Sequence, residues 1–141
     1  MPVDVTLSPS LGAFATSADE KAMLTADGSC YKDNMWTAAH EGTQSITYSL
    51  GDTYKIGEIS LYHAETADMP SSLNTGAYSV EISADGENWT KVADISGNTD
   101  SWNNLTFKAV TGKFVKVTIT DPGADNIARI ADIDIFGTLV K

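Results

Sequence analysis

Apolar and polar residues alternate along most of this 141-residue chain. Ile46, Tyr48 and Leu50 are separated by single polar residues, and the same period of two recurs four more times. The later sets are Ile59 and Leu61; Tyr78, Val80 and Ile82; Val115, Val117 and Ile119; and Ile133 and Ile135. This period places one face of a strand on a core and the other in water.

Gly, Asn, Asp and Pro residues break the alternating runs into short segments. Short strands separated by such residues are typical of an all-β sandwich or jelly roll with mostly antiparallel strands. The only helical turn that we expect is Ala18 to Leu24, with Ser17 or Asp19 as its N-cap. The pattern therefore predicts an all-β sandwich without long helices.

Composition limits the partners of this sandwich. Residues 1–141 suffice for one domain with its own core. The net charge is −10, and the nine Lys and Arg residues are scattered, which disfavours nucleic acid and anionic membranes as partners. Neutral sugars and cations fit this charge. The single cysteine, Cys30, has no internal partner for a disulfide.

The two ends of the chain suggest an excised module. No segment resembles a membrane span or a signal peptide. Met1-Pro2-Val3 directly precedes the domain and looks like an expression start at a module boundary. We therefore expect a module, monomeric when isolated, from a longer parent protein that carries its export signal elsewhere. The acidic charge fits a secreted or cell-surface bacterial protein.

Three motifs carry a family resemblance. Leu24–Ser29 leads to Trp36, Ser83–Trp89 reads Ser-Ala-Asp-Gly-Glu-Asn-Trp, and Arg129–Gly137 closes the domain. In this order and spacing they resemble the discoidin fold, the coagulation factor V/VIII C-type domain. The most similar branch is the family 32 carbohydrate-binding modules of bacterial glycoside hydrolases. The resemblance runs from about Leu24 to Gly137 and adds a discoidin-like jelly-roll topology to the sandwich.

The resemblance implies a structural calcium site between two distant loops. Calcium takes ~6–8 oxygen ligands from carboxylates, amides and carbonyls. Carried over residue by residue, the ligands are the Leu24 carbonyl, Asp27, Ser29, Asn34, the Ala131 carbonyl and Asp132. Asp132 stands where the family usually has Glu and Ser29 where Asp or Asn is common, which predicts modest affinity. Asp33 is an alternative ligand, and a solvated Asp-Gly turn without metal is the alternative to the whole site.

The resemblance also implies a sugar site in the loops at one end of the sandwich. A pyranose needs paired hydrogen-bond donors and acceptors and an aromatic ring for its C–H face. The candidate residues are His63, Glu65, Asn98, Trp102, Asp125 and Asn126. For His63, the period of two leaves a core-facing histidine as the alternative. For Trp102, a ligand platform and a lid on the core stay equally open.

Other polar and aromatic residues are expected to be structural. Asn74 should fix its loop, and Arg129 should pair with an acid such as Asp125. Trp89 should fold over the strands and Trp36 should close one end of the sandwich. Since Arg129 is the only arginine, the sugar identity stays open.

The function that these observations favour is non-catalytic binding of a glycan, at a terminal sugar, which targets an attached glycoside hydrolase. The alternative is a discoidin-type adhesion domain for a protein or phospholipid. Catalysis is disfavoured because His40 and His63, the two histidines, lie in no recognisable catalytic motif.

Overall fold

A computed structural model describes Val5–Leu7, Phe14–Ala15 and residues 36–140. This part of the chain is built almost entirely of strands. They are β1 (Val5–Leu7), β2 (Phe14–Ala15), β3 (Trp36–Glu41), β4 (Gln44–Tyr62), β5 (Ala77–Ser83), β6 (Thr90–Ile95), β7 (Trp102–Asp121), β8 (Ile127–Ile130) and β9 (Asp132–Leu139). The predicted all-β, discoidin-like sandwich is confirmed.

Two long strands connect the two layers of the sandwich. β4 and β7 pair with each other antiparallel over nearly their full lengths, with a register break between Ser49 and Tyr54 of β4. On one side of the break, β2 joins the early part of β4, and β5 with its neighbour β6 joins the late part of β7. On the other side, β9 and then β1 join the later part of β4. Strands that change sheet at a bulge form the corner of such a sandwich, and β3 and β8 form a separate pair.

The core consists of the residues that the alternation predicts. All five alternating apolar sets are buried, and Ile46, Ile59, Val80, Val117 and Ile133 have no exposed surface. Ile56, Leu105, Ala128 and Ile130 complete the same cluster. Burial of these side chains supplies the main favourable term for folding.

A bulge in β4 decides which way its last residues face. The register shifts between Ile56 and Glu58, so the inward positions after Ile56 are Ile59, Leu61 and His63 rather than even-numbered residues. A shift of one residue reverses the faces of every following side chain. The bulge therefore turns His63 inward and Tyr62 outward.

Two 3₁₀ turns follow β4, at Ala64–Ala67 and Ser71–Leu73, where no helical turn was expected. The first ends at Asp68, whose positive φ of 64° lets its backbone N–H bond to the carbonyls of Ala64 and Glu65. The predicted turn at Ala18–Leu24 lies outside the described residues. Within the described ranges, no helix is long and apolar enough to cross a membrane.

The β5–β6 connection is a turn at Asp85 and Gly86, where Gly86 has a φ of 81°. Asp85 accepts hydrogen bonds from the backbone N–H groups of Glu87 and Asn88, which hold the pKa of its carboxyl well below the usual range. Trp89 follows and lies under the ammonium of Lys116, 4.2 Å from the ring centroid. This placement over the strands agrees with a structural role for Trp89.

Candidate functional site at the loop end of the sandwich

Three loops meet at one end of the sandwich and are called here the apical loops: residues 63–76, 96–101 and 121–126. Backbone hydrogen bonds join them, from Asn98 N to Gly76 O (2.9 Å), Gly76 N to Asp121 O (2.9 Å) and Ala124 N to Ser72 O (2.9 Å). β7 begins and ends at this point because it bends at the far corner and returns. The topology thus assembles segments that are far apart in sequence.

An open cleft of about 610 Å³ lies between these loops. Its lining is mostly polar or small: Ser71, Ser72, Asn74, Gly76, Asn98, Thr99, Asp121, Gly123 and Ala124. Gly123 has a φ of 102°, and a Cβ at this position would lie 2.9 Å from Ser72 O and 3.0 Å from Asn74 O. Only glycine fits this close backbone approach, so Gly123 helps to set the shape of the cleft.

His63 lies beneath the apical loops, fully buried. Its Nε2 is 2.6 Å from Asn103 Oδ1, and its ring packs edge-on against Tyr78. Because an amide oxygen can only accept, Nε2 carries the proton in this arrangement. Nδ1 has no hydrogen-bond partner among the described residues. The core-facing alternative for His63 is therefore the orientation observed.

Burial of His63 lowers the pKa of its imidazole below the ordinary 6.5, more than its bond to Asn103 raises it. As the pH falls below about 6.5, the unfolded chain takes up the proton first, so stability present above this pH is lost below it. We expect the free energy of unfolding to fall between about pH 7 and pH 5. His63→Gln, whose amide can still donate to Asn103, should flatten this slope in chemical denaturation. An unchanged slope would assign the pH dependence to other groups.

Asn103 connects His63 to the apical loops. Its Oδ1 also accepts a hydrogen bond from the Tyr78 hydroxyl (2.8 Å), and its Nδ2 donates to Asn98 Oδ1 (3.1 Å). Asn98 in turn donates to the carbonyls of Thr75 (2.9 Å) and Asp100 (3.0 Å). This network ties the loop of residues 96–101 to the core beneath it.

Glu65 and Asn74 hold the first apical loop in shape. Asn74 Oδ1 accepts from the Glu65 backbone N–H (2.8 Å), and Asn74 Nδ2 donates to Glu65 Oε1 (3.0 Å). Asn74 is buried and Glu65 is exposed. The loop-fixing role predicted for Asn74 is confirmed, and Glu65 is its partner.

Trp102 stands at the start of β7 on the outer face of the sheet. Its side chain is 48% exposed and stacks on Tyr62, with ring centroids 5.7 Å apart and an angle of 12° between the planes. Tyr62 and Trp102 are register partners on β4 and β7. The ring is therefore supported from beneath and open to solvent, which excludes a lid on the core.

Asp125 and Asn126 lie in the third apical loop. Both Asp125 oxygens accept hydrogen bonds from the Arg129 guanidinium (2.9 and 2.6 Å), which holds the pKa of the carboxyl below its usual range. The expected pairing of Arg129 is thus confirmed. Asn126 is exposed with a φ of 61°, and its carbonyl accepts from Gly42 N.

The sequence-predicted sugar residues are only partly brought together. Asn98 lines the cleft, Glu65 adjoins it through Asn74, and the buried His63 is linked to Asn98 through Asn103. Trp102 is on the adjacent outer face. The binding role of each of the six candidates stays a prediction.

Sequence reasoning missed Tyr62, Asn103 and the cleft residues Ser72 and Thr99. The inward orientation of Asn103 could have been predicted from the sequence. Leu105 and Phe107 are apolar and lie two and four residues after it, so the three share one face of the strand. No comparable signal marks Ser72 or Thr99.

The predicted metal ligands fall largely outside the described residues, which include none of Leu24, Asp27, Ser29, Asn34 or the alternative Asp33. Ala131 is buried between β8 and β9, and its N–H donates to Tyr62 O (2.8 Å). For Asp132, only the backbone is described. Among the side chains that the structure describes, which exclude that of Asp132, no group of three or more His, Cys, Asp and Glu residues could hold a metal ion.

Several known proteins resemble this chain. A family 32 module from Clostridium perfringens NanJ, in complex with galactose, has a TM-score of 0.75 at 20% identity, covering 95% of this chain and 99% of that one. A Clostridium perfringens family 32 module in complex with GalNAc-β-1,3-galactose has a TM-score of 0.68 at 20% identity, with 94% of both chains covered. A family 89 glycoside hydrolase from that organism has a TM-score of 0.75 at 23% identity, over 95% of this chain and 15% of its own.

Among curated proteins, BTB/POZ domain-containing protein 9 of Bos taurus and of Homo sapiens is 29% identical over 113 residues. This match covers 79% of the chain but 18% of those proteins, so the chain spans about a fifth of their length. The family model described as F5/8 type C domain matches residues 11–133, most of the chain. The chain belongs to the F5/8 type C domain family.

Proposed function

We propose that this chain is a non-catalytic carbohydrate-binding module that binds a glycan at its apical end. The observation that carries the proposal is the Trp102 ring, 48% exposed and held against Tyr62 beside the polar apical loops. A pyranose can lay its C–H face on such a ring. Because the ring is already stacked, little conformational entropy is lost when a sugar binds.

The neighbouring cleft supplies polar groups suited to sugar hydroxyls. Ser72 and Thr99 offer hydroxyl groups, and Asp121 offers carboxylate oxygens. The Asn98 amide is already bonded within its loop and so holds the cleft wall in place. Galactose and GalNAc-β-1,3-galactose are the ligands of two proteins with this fold. Both facts support a sugar ligand for this chain, and neither identifies the sugar.

The charge of the apical loops favours an uncharged sugar. They contain Glu65, Asp68, Asp100, Asp121 and Asp125 but no lysine or arginine. Arg129, in the adjoining β8, is already paired with Asp125. Sialylated, sulfated or uronic-acid glycans would be repelled by this field.

The module would hold an attached glycoside hydrolase on its substrate. A domain with this fold occupies 15% of a much longer family 89 hydrolase chain. Weak binding by one site suffices in that setting, because tethering raises the effective concentration. Such a parent protein would be secreted or displayed at the cell surface.

The decisive experiment is a glycan array probed with the folded module displayed multivalently. We expect a coherent set of hits that share one uncharged sugar. A blank array from protein with a cooperative melt would contradict the proposal. Pelleting with phospholipid vesicles in a parallel assay would instead favour the adhesion alternative.

We also propose the structural calcium site of Leu24, Asp27, Ser29, Asn34, Ala131 and Asp132. The position of Ala131 supports it, since this buried residue joins β8 to β9 and its N–H bonds to Tyr62 O, which fixes the backbone next to the proposed carbonyl ligand. Of the six proposed ligands, only Ala131 and the backbone of Asp132 belong to the described residues. They are too few to make up the oxygen ligands that calcium requires, and the other four stay a prediction.

Removal of calcium should lower the melting temperature. Calcium at 100 times its Kd stabilises a folded protein by about 2.7 kcal/mol, so a chelator should lower Tm by several degrees and added calcium should restore it. Asp27→Ala should remove the response, while the exposed Asp94→Ala should keep it. An unchanged Tm in chelator would contradict the site.

A further inference from the structure

The outer face of the β4–β7 pair carries a row of polar and aromatic residues, here called the outer strip. Three register pairs form it: Tyr62 with Trp102, Ser60 with Asn104, and Glu58 with Thr106. The residues between them, Ile59, Leu61 and Leu105, are buried in the core. Because side chains alternate along a strand, the outer strip faces away from the core. Within it Trp102, Asn104 and Thr106 are exposed, whereas Ser60 is buried.

Asn104 organises the middle of the outer strip. It is exposed, and its Nδ2 donates to Ser60 Oγ (2.8 Å) and Glu58 Oε2 (2.9 Å). Both amide hydrogens are therefore used. Asn104 Oδ1 and Glu58 Oε1 remain as acceptors, with no hydrogen bond to any other described residue. Two fixed acceptors side by side match the donor hydroxyls on adjacent carbons of a sugar ring.

The outer strip continues into a groove of about 400 Å³. Glu58 and Thr106 line its near side, and the partly buried Phe136 of β9 contributes an aromatic ring. From Trp102 to Thr106 the strand advances about 13 Å, which is longer than one pyranose ring. A ligand that begins on Trp102 can thus reach the groove only if it is an oligosaccharide.

We propose that the outer strip is an extended glycan-binding surface, so that the ligand is an uncharged oligosaccharide chain lying along β4 and β7. Its first ring stacks on Trp102, the second donates hydroxyls to Asn104 and Glu58, and the third lies over Thr106 at the groove. This inference rests on the proposed function, since it extends the same site from Trp102. It names a ligand class, a chain of at least three sugars, that binding at a terminal sugar alone does not require.

The test measures affinity against chain length by calorimetry. The probes are gluco-, galacto-, manno- and xylo-oligosaccharides of one to four units. For the series that binds, we expect the affinity to rise about tenfold from one unit to three. Asn104→Ala should lose most of this gain from the second unit onward and keep the affinity for the single sugar. Thr106→Ala should lose only the gain from the third unit.

Thr90→Ala provides the matched control, because Thr90 is an exposed residue of β6. It should keep the full gain with chain length. Equal affinity of the native module for one and three sugar units would contradict the outer strip as a binding surface and leave the proposed function intact. Equal loss for all lengths in Asn104→Ala would do the same. Absence of binding to all probes and to the array would overturn both proposals.

Discussion

Replacing Trp102 with alanine is expected to abolish glycan binding and to leave the fold nearly unchanged. The ring is 48% exposed, and its main described contact is the stack on Tyr62. Loss of that stack should cost about 1 kcal/mol of stability. An aromatic ring that becomes buried when its ligand binds contributes about 2 kcal/mol or more to the binding free energy, so the affinity should fall at least about thirtyfold.

Calorimetry with the sugar found on the array, together with a thermal melt, would check this result. Val140→Ala is the matched control, because Val140 is 44% exposed and bonds to Thr53 at the opposite end of the sandwich. It should keep both binding and Tm. Unchanged glycan affinity in Trp102→Ala would refute the role of the ring as a platform.

Replacing Asn103 with alanine is expected to destabilise the fold strongly. The change leaves two buried groups, His63 Nε2 and the Tyr78 hydroxyl, without their shared partner, while Asn98 Oδ1 keeps its bond from Asp100 N. Unpaired buried polar groups cost about 1–3 kcal/mol each and are not fully additive, so we expect a loss of about 3 kcal/mol. For a domain of this size, Tm should fall by roughly 10 °C.

Asn104→Ala is the control for this prediction, as the same substitution one residue along the chain. Asn104 is exposed, so its loss should cost less than about 1 kcal/mol. Urea denaturation of both variants gives the comparison. Similar losses of unfolding free energy in the two variants would show that the hydrogen bonds of Asn103 stabilise the fold no more than those of Asn104.

The site was less predictable than the fold. The loops that hold Asn98, Glu65 and Asn126 could be identified as polar segments between strands. Their union into one cleft depends on Ser72, Gly76 and Asp121, which meet through backbone hydrogen bonds between distant segments. Backbone hydrogen bonds of this kind do not depend on the side-chain type, so the sequence does not predict them, except at glycines such as Gly123.

His63 and Trp102 show the same limit. Both lie near the end of a strand, where one residue of register decides between core and solvent. The bulge between Ile56 and Glu58 sets that register for His63. For Trp102 the sequence does not decide between lid and platform, because Leu105 and Phe107, which show that odd-numbered residues face the core, lie beyond the polar stretch around it.

The sequence by itself determined the all-β class, the five alternating sets that make up most of the core and the membership of the family. Burial of apolar surface is roughly proportional to its area and needs no particular geometry, so a period of two suffices to predict it. Only the tertiary structure decided which polar side chains face one another. Hydrogen bonds and ring stacking act over a few ångströms and depend on direction. The bends of β4 and β7 and the bulge in β4 therefore turned Asn103 towards the buried His63 and left Trp102 and Asn104 on the outer face.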